Sequence, residues 1–276
     1  MDIDGTLLDS KSQVSAANSL AIAEAAARGI EIVLVTGRRF DFALPIAQAL
    51  PCDLHMIVNN GALAKSRDGT THLRHLLSTE TARQVLESTP EFRANAAVVF
   101  DRPNTRQVIL EKVDWDDPFR GGYFRRNREY IAEMAPLVSC LNGEDPIQVM
   151  YTGQCLPMRA AMKTLAALPF AGGFTLALTE YESRDLSILD VLPRGVTKGN
   201  TLKEWVRRRG IPSEGVMAIG DNWNDREMLE FAGCPVVMGN SVAELKSLGW
   251  PITLSNDEDG LAAAIYRYAL GETDGS

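Results

Sequence analysis

The sequence contains few of the residues on which zinc-binding, disulfide-rich or membrane-spanning proteins depend. Its 276 residues include four cysteines and three histidines, and no two cysteines form a CxxC pair. Neither a zinc site nor a disulfide framework is therefore indicated. No apolar run reaches about 18 residues, the length that predicts a membrane span, and the acidic stretch directly after Met1 is not typical of a signal peptide. These features predict a cytoplasmic protein.

Positive charge is also scarce. The chain has 28 lysines and arginines against 36 aspartates and glutamates, which gives a net charge of -8. A nucleic-acid or anionic-membrane partner would require a basic face, so neither partner is predicted. A small anionic substrate is still compatible, because one pocket need not have the charge of the whole surface.

Hydrophobic residues make up 45% of the chain, enough for a sizeable core, and the length fits a domain that carries an insert. Both ends alternate β-branched apolar runs with helical segments, which predicts a parallel sheet covered by helices on both faces. The predicted strands are 30–35, 56–58, 216–219, 235–238 and 252–254. The predicted helices are 15–28, which ends at Gly29, and one after Ser241, which forms a capping-box pattern with Glu244.

The middle of the chain has a different pattern. Its predicted strands are 96–100, 106–111, 147–151, 174–178 and 186–192, and its predicted helices are 78–87 and 156–167. This mixture predicts an α+β domain inserted into the first one. The predicted division is 1–62 with 191–276 for the α/β core domain, and 63–190 for the insert.

Four polar segments follow predicted strands or begin predicted helices, where α/β proteins bind ligands. The first contains Asp2 and Asp4, whose side chains point to the same side of an extended chain. One carboxylate of such a pair can attack phosphorus while the other protonates the leaving oxygen. Gly5 allows a sharp turn after them. Alone, the segment is equally compatible with an acidic chain end that forms a turn.

The second segment is Thr36-Gly37-Arg38, after the best-defined predicted strand. Its hydroxyl and backbone N–H groups can hold a phosphate oxygen, although a Thr-Gly pair more often forms a plain turn. The third is Lys198, which can neutralise a carboxylate and a phosphoryl group from the start of a helix. An isolated lysine more often faces solvent. The surrounding residues lack the GxxxxGK[ST] spacing of a nucleotide-binding P-loop.

The fourth segment, GDNWND at residues 220–225, is the most specific. Mg²⁺ prefers oxygen ligands and keeps several waters, so one or two carboxylates and a substrate phosphate suffice to bind it. Asp221 can supply one ligand, while Asn224 and Asp225 can hold the substrate, the metal-bound waters or Lys198. The alternative is an acidic residue that caps a helix.

In this order, the segments DIDGTLLD, TGR, the lone lysine and GDNWND resemble the four signature motifs of the haloacid dehalogenase superfamily. The segments NNGA (59–62), VMGNS (237–241) and NDEDGL (256–261) are similar to those of its Cof-type sugar-phosphate phosphatases. The resemblance implies a Rossmann-like core with helices on both faces. It also implies that the insert is a type IIB cap that determines substrate specificity.

The resemblance further implies roles for individual residues. Asp2 would be the nucleophile and Asp4 the general acid/base. Mg²⁺ would be bound by the Asp2 carboxylate, the Asp4 backbone carbonyl and Asp221, with Asp225 in support. The phosphate would contact Thr36, the Gly37 backbone, Lys198 and Asn224. The implied activity is Mg²⁺-dependent hydrolysis of a small phosphomonoester, such as a sugar phosphate, through an aspartyl-phosphate intermediate.

One feature departs from the family pattern. The family places an apolar strand before the nucleophile, whereas only Met1 precedes Asp2 here. Each unpaired ladder group on the neighbouring strands would cost about 1 to 3 kcal/mol. We therefore expect that the chain begins at an internal methionine or was truncated, and that a longer form is the working enzyme. A phosphomutase or other phosphotransferase, and a catalytically silent phosphometabolite-binding protein, are the alternative functions.

Overall fold

The computed structural model describes residues 1–103, 105–181 and 184–271 of the chain. These residues form two compact units. The first combines residues 1–74 with the chain from Thr197 onward, and the second comprises His75–Val196. The predicted α/β class, with a parallel sheet and helices, is confirmed.

The elements are numbered along the whole chain. The strands of the first unit are β1 (Ile32–Val35), β2 (Leu54–Val58), β3 (Leu63–Ser66), β4 (Thr71–Arg74), β11 (Met217–Gly220) and β12 (Cys234–Val237). Its helices are α1 (Ala16–Ala27), α2 (Phe40–Ala49), α6 (Lys198–Arg208), α7 (Arg226–Phe231), α8 (Ala243–Lys246) and α9 (Gly260–Ala264). The second unit contains β5 (Ala96–Val99), β6 (Val108–Leu110), β7 (Ile131–Glu133), β8 (Gln148–Gly153), β9 (Phe174–Tyr181), β10 (Leu186–Pro193), α3 (Thr79–Ser88), α4 (Gly121–Arg126) and α5 (Cys155–Ala166).

The first unit has a four-stranded sheet in the order β1-β2-β3-β4 and a two-stranded sheet, β11-β12, and the start of the chain lies between them. β1 is parallel to β2, and β11 is parallel to β12. Between these pairs, the Met1 carbonyl accepts a hydrogen bond from the Val35 N–H at 2.8 Å, and the Asp2 N–H donates to the Ile219 carbonyl at 3.0 Å. Asp2 therefore lies beside the carboxyl ends of β1 and β11. The longer strand expected before Asp2 stays a prediction.

The boundaries of the two units differ from the predicted ones, 62/63 and 190/191. Residues 63–74 form the β3-β4 hairpin, and β3 pairs antiparallel with β2. The predicted division instead places these residues at the start of the insert. The role of the second unit as a specificity cap stays a prediction.

Most predicted elements of the first unit are present, and two differ. Residues 252–254 form only a single bridge, from Ile252 to Val237, next to a proline that has no N–H to donate. The capping box at Ser241 is wrong, because α8 follows an extended Val242 with no side-chain cap.

Helix α1 is hydrogen-bonded to the loop that follows Asp4. It begins after Ser15, whose hydroxyl accepts a hydrogen bond from the Asn18 N–H, and it is followed by Gly29 in the left-handed conformation (φ +83°). The buried Asn18 side chain donates to the Leu7 carbonyl at 3.3 Å and accepts from the Ala262 N–H at 3.0 Å. These bonds attach the loop after Asp4 to α1 and α9.

The second unit has one six-stranded sheet in the order β7-β6-β5-β8-β10-β9. Its core contains Val98, Tyr151 and Leu189 from the strands and Met158 from α5, all fully buried. The Tyr151 hydroxyl is hydrogen-bonded to the hydroxyl of Thr89 at 2.8 Å, which satisfies both buried groups. Within the described residues of the whole chain, we find no helix with the length and hydropathy needed to cross a membrane.

Candidate active site

The four predicted segments meet at the carboxyl ends of the parallel strands β1 and β11. Met1 and Asp2 lie between β1 and β11 and Asp4 follows them, while Thr36 follows β1 and Asp221 follows β11. Carboxyl ends of parallel strands share one edge of a sheet, so their following residues converge. The third segment joins them because α6 begins at Lys198.

Lys198 lies at the centre of this group. Its Nζ donates to Asp2 Oδ1 at 2.9 Å and to Asp225 Oδ1 at 2.7 Å, and all three side chains are buried. Burial would lower the pKa of Lys198, but the two carboxylates outweigh it and hold that pKa above its usual value. The lysine is therefore charged, and one of its three N–H donors is available to a further acceptor.

An acidic cluster lies beside the lysine, with Asp2 and Asp225 buried and Asp221 partly buried. Carboxylate oxygens of Asp2, Asp221 and Asp225 lie within 4.8 Å of one another. Burial, with the negative charge of Asp225 next, raises the pKa of Asp2 to about 7. The pKa of Asp221 is also well above its usual value, first because of burial and then because of Asp2. One lysine does not balance three carboxylates, which is the situation that a cation relieves.

The first and fourth segments touch at Gly5 and Asp221. Gly5 has φ +76°, and a Cβ added there would lie 2.3 Å from Asp221 Oδ2, so only glycine fits. The buried Thr6 hydroxyl donates to Asp221 Oδ1 at 3.0 Å. Asp225 has a different environment, because its Oδ2 accepts the backbone N–H groups of Asp221 and Asn222, each at 3.1 Å. Both oxygens of Asp225 are thus occupied by protein donors.

The Asp4 side chain forms an ion pair that the sequence analysis missed. Arg38 donates to both Asp4 oxygens, from Nε at 2.7 Å and from Nη2 at 2.6 Å. The pair is partly exposed, with 27% of the Arg38 and 34% of the Asp4 side chain accessible. The signal was present in the TGR motif, but the motif alone does not show which group the arginine contacts.

The phosphate-binding candidates Thr36, Gly37 and Asn224 lie around Asn60, a second residue without a predicted role. The Thr36 hydroxyl accepts the Arg38 N–H at 3.1 Å and still has its own hydrogen to donate. The Asn60 side chain accepts from Asn224 Nδ2 at 3.3 Å and lies beside Gly37. The other amide atom of Asn224, Oδ1, is buried and has no hydrogen-bond partner among the described residues.

The comparisons with known proteins cover nearly the whole chain. Residues 1–265 match the family described as haloacid dehalogenase-like hydrolase. Pyridoxal phosphate phosphatase YbhA of Escherichia coli is 27% identical, over 98% of this chain and 97% of that protein. Endoribonuclease YBEY, chloroplastic, of Arabidopsis thaliana is 29% identical over 98% of the chain. The chain spans only 46% of that longer protein.

Solved structures agree with this family assignment. A haloacid dehalogenase-like hydrolase from B. subtilis aligns with a TM-score of 0.80 and 25% identity, over 97% of this chain and 98% of that one. The family match includes every one of the four motifs and both units. The chain therefore belongs to the haloacid dehalogenase-like hydrolases.

Proposed function

We propose that the protein is a Mg²⁺-dependent phosphatase that hydrolyses a small phosphomonoester through an aspartyl-phosphate intermediate on Asp2. The observation that carries this proposal is the buried lysine, Lys198, bonded to Asp2 and Asp225 beside a third carboxylate, Asp221. A carboxylate that attacks a phosphate needs the negative charge of both groups to be compensated. This arrangement provides that compensation at the attacking atom.

The acidic residues fit Mg²⁺. They offer only oxygen donors, which Mg²⁺ prefers, and burial, followed by the charge of the neighbouring carboxylates, raises the pKa values of Asp2 and Asp221. We assign the ion to the Asp2 carboxylate, the Asp4 backbone carbonyl and Asp221. Asp225 supports this site by holding Lys198 and the Asp221 backbone. When bound, Mg²⁺ would neutralise and orient the phosphoryl group.

Two carboxyl groups divide the chemistry. An Asp2 oxygen forms a bond to phosphorus, and the bond from phosphorus to the leaving oxygen breaks as Asp4 donates a proton to that oxygen. Asp4 then accepts a proton from water, whose oxygen attacks the aspartyl phosphate and releases phosphate and the Asp2 carboxylate. Arg38 orients the Asp4 carboxylate through its two hydrogen bonds, and the bond to the oxygen that carries the proton is released when Asp4 acts as the acid.

Four groups are proposed to hold the phosphate oxygens. The free N–H of Lys198, the hydroxyl hydrogen of Thr36 and the backbone N–H of Gly37 are donors. The Asn224 amide is the fourth group: a flip of its side chain turns Nδ2 toward the phosphate, and a matching flip of the Asn60 amide keeps a hydrogen bond between the two side chains. Positioning and charge compensation of this kind supply most of the catalysis in phosphoryl transfer.

The substrate is proposed to be a small phosphorylated metabolite in the cytoplasm. The relative YbhA is named for pyridoxal phosphate, a compound of this class, and the Cof-type motifs favour a sugar phosphate. The net charge of -8 gives no support for a nucleic-acid or membrane partner.

The test is the release of p-nitrophenol from p-nitrophenyl phosphate, with and without MgCl2. We expect activity only with Mg²⁺, and a loss of at least about a thousandfold in Asp2→Asn, because the nucleophile is removed. Asp53→Asn, which changes an exposed carboxylate, is the matched control and should retain full activity. Undiminished activity in Asp2→Asn would disprove the mechanism. Binding of a phosphorylated metabolite without turnover would instead identify a silent binding protein. A requirement for a bisphosphate activator would identify a phosphomutase.

A further inference from the structure

The turn formed by residues 239–242, between β12 and α8, has no part in the proposed chemistry, yet it contacts the loop that carries Asp221. The Ser241 hydroxyl donates to the Asp221 carbonyl at 2.6 Å, and Ser241 is only 6% exposed. The Val242 N–H donates to the same carbonyl at 3.2 Å. Two neighbouring donors therefore hold the backbone of Asp221.

The preceding residue of this turn, Asn240, holds the other acidic loop. Its Nδ2 donates to the Gly5 carbonyl at 2.8 Å, and its Oδ1 accepts the Asn256 N–H at 2.9 Å. Asn256 in turn donates through Nδ2 to the Leu8 carbonyl at 2.9 Å. The loop that follows Asp2 is thus held at two carbonyls by residues from the VMGNS and NDEDGL segments.

The residues that this turn holds are those at which the two acidic loops meet. Gly5 is packed against the Asp221 carboxylate so closely that a Cβ would not fit, and Thr6 donates to that carboxylate. A shift of either loop at this contact would change the separation of the Asp2 and Asp221 carboxylates. Consecutive residues of one turn, Asn240 and Ser241, therefore hold the two sides of one contact.

We propose that Ser241 and Asn240 are positioning residues that fix the spacing of the Asp2 and Asp221 loops and thereby set the affinity for Mg²⁺. The inference rests on the proposed function, because it assigns the ion to Asp2 and Asp221. Groups that hold metal ligands in place change metal affinity about 10- to 100-fold when they are removed. Ser241 acts one step further away, through the backbone of Asp221, so the lower value is expected.

The experiment measures Mg²⁺ binding to the whole protein by calorimetry with MgCl2 and no substrate. Ser241→Ala is expected to raise the dissociation constant about tenfold, while kcat at saturating Mg²⁺ changes by a smaller factor. Ser241→Thr retains the hydroxyl and should restore the affinity. Ser247→Ala is the matched control, because it removes an exposed serine hydroxyl that donates to the Glu244 carbonyl at 2.7 Å in the same segment.

A second variant guards against misfolding. The Asn240 side chain is exposed, so Asn240→Ala tests the other side of the contact without opening a cavity, and it should also bind Mg²⁺ more weakly. Wild-type affinity in Ser241→Ala or in Asn240→Ala, whatever happens to the melting temperature, would overturn the inference. If wild-type protein binds Mg²⁺ but hydrolyses no phosphomonoester, the proposed function alone fails. If it binds no Mg²⁺, both fail.

Discussion

Single side chains determine the electrostatics of the site through their burial. Lys198 is nearly inaccessible, so its interactions with Asp2 and Asp225 are screened little by water. The ion pair between Arg38 and Asp4 is partly exposed, so its contribution to stability is small. Its value lies in geometry, because a guanidinium with two parallel hydrogen bonds fixes the orientation of a carboxyl group.

Replacing Arg38 should therefore affect proton transfer more than folding. General acid/base catalysis contributes about 10²- to 10⁴-fold to the rate. We expect Arg38→Gln to lower kcat about tenfold, because Asp4 is kept but is no longer oriented. The loss should be larger for an alkyl phosphate, whose leaving oxygen needs a proton, than for p-nitrophenyl phosphate. Arg207→Gln, an exposed arginine on α6, is the control. An equal loss on both substrates would contradict a role through Asp4.

At this scale the sequence predicts which residues converge but not how they pair. Asp2, Lys198, Asp221 and Asp225 were identified because strand ends and motif order place them together. The contact from Arg38 to Asp4 was missed, as was the hydrogen bond from Ser241 to Asp221. Both depend on side-chain directions that only the folded backbone fixes, and the Ser241 pattern is locally just as compatible with a helix cap.

Two helices position the lysine, and the closeness of their packing depends on one glycine. A Cβ added at Gly199 would lie 2.5 Å from the Glu227 carbonyl carbon and 2.7 Å from the Met228 nitrogen, both in the backbone of α7. In addition, the Thr197 hydroxyl forms a hydrogen bond with the Glu227 carboxylate. The start of α6 is therefore held against α7, directly after the loop that contains Asp225.

We expect Gly199→Ala to push the two helices apart. Overpacking of this kind costs about 1 to 3 kcal/mol, and because Lys198 is the adjacent residue, kcat should fall as well. Urea denaturation measures the loss in the free energy of unfolding. Gly122→Ala in α4, where an added Cβ meets nothing within 4 Å, is the control and should leave the free energy of unfolding unchanged or slightly higher, because alanine favours the helix and meets no clash. Similar stability in the two variants would show that the helices are not tightly packed at Gly199.

The sequence predicts that a helix or strand is present better than it predicts which unit that element belongs to. The β-branched run of β1 and the alanine-rich α1 were predicted within two residues of their bounds because hydrophobic periodicity and a terminal glycine define them. The β3-β4 hairpin was predicted with the insert, whereas β3 pairs with β2, which is a contact between segments that local pattern does not specify.

For the whole molecule, the acidic cluster couples folding to pH and to Mg²⁺. Without the ion, Asp2 has a pKa of about 7 in the folded protein against an ordinary value of 3.8, so the folded state holds a proton that the unfolded state has released. This contribution to stability is complete below the ordinary pKa and is lost as pH rises through about 7. Asp221 acts in the same direction. The metal-free protein should therefore lose stability from this cluster between about pH 4 and pH 7.

Mg²⁺ should reverse this trend, because it binds the ionised carboxylates and must displace their protons. At pH 7.5 the carboxylates are largely ionised and bind the ion directly. Below the folded pKa of Asp2, the ion must displace a proton, and its affinity falls about tenfold for each pH unit. We therefore expect MgCl2 to raise the melting temperature clearly at pH 7.5 and little at pH 5. Other groups also titrate in this range. The pKa of His55 is lowered by burial and then by Arg209, so His55 destabilises the protein as pH falls. Because its contribution is the same with and without Mg²⁺, it cancels when the two melting temperatures are compared at one pH. An equal rise at both pH values would mean that the ion does not bind at the acidic cluster.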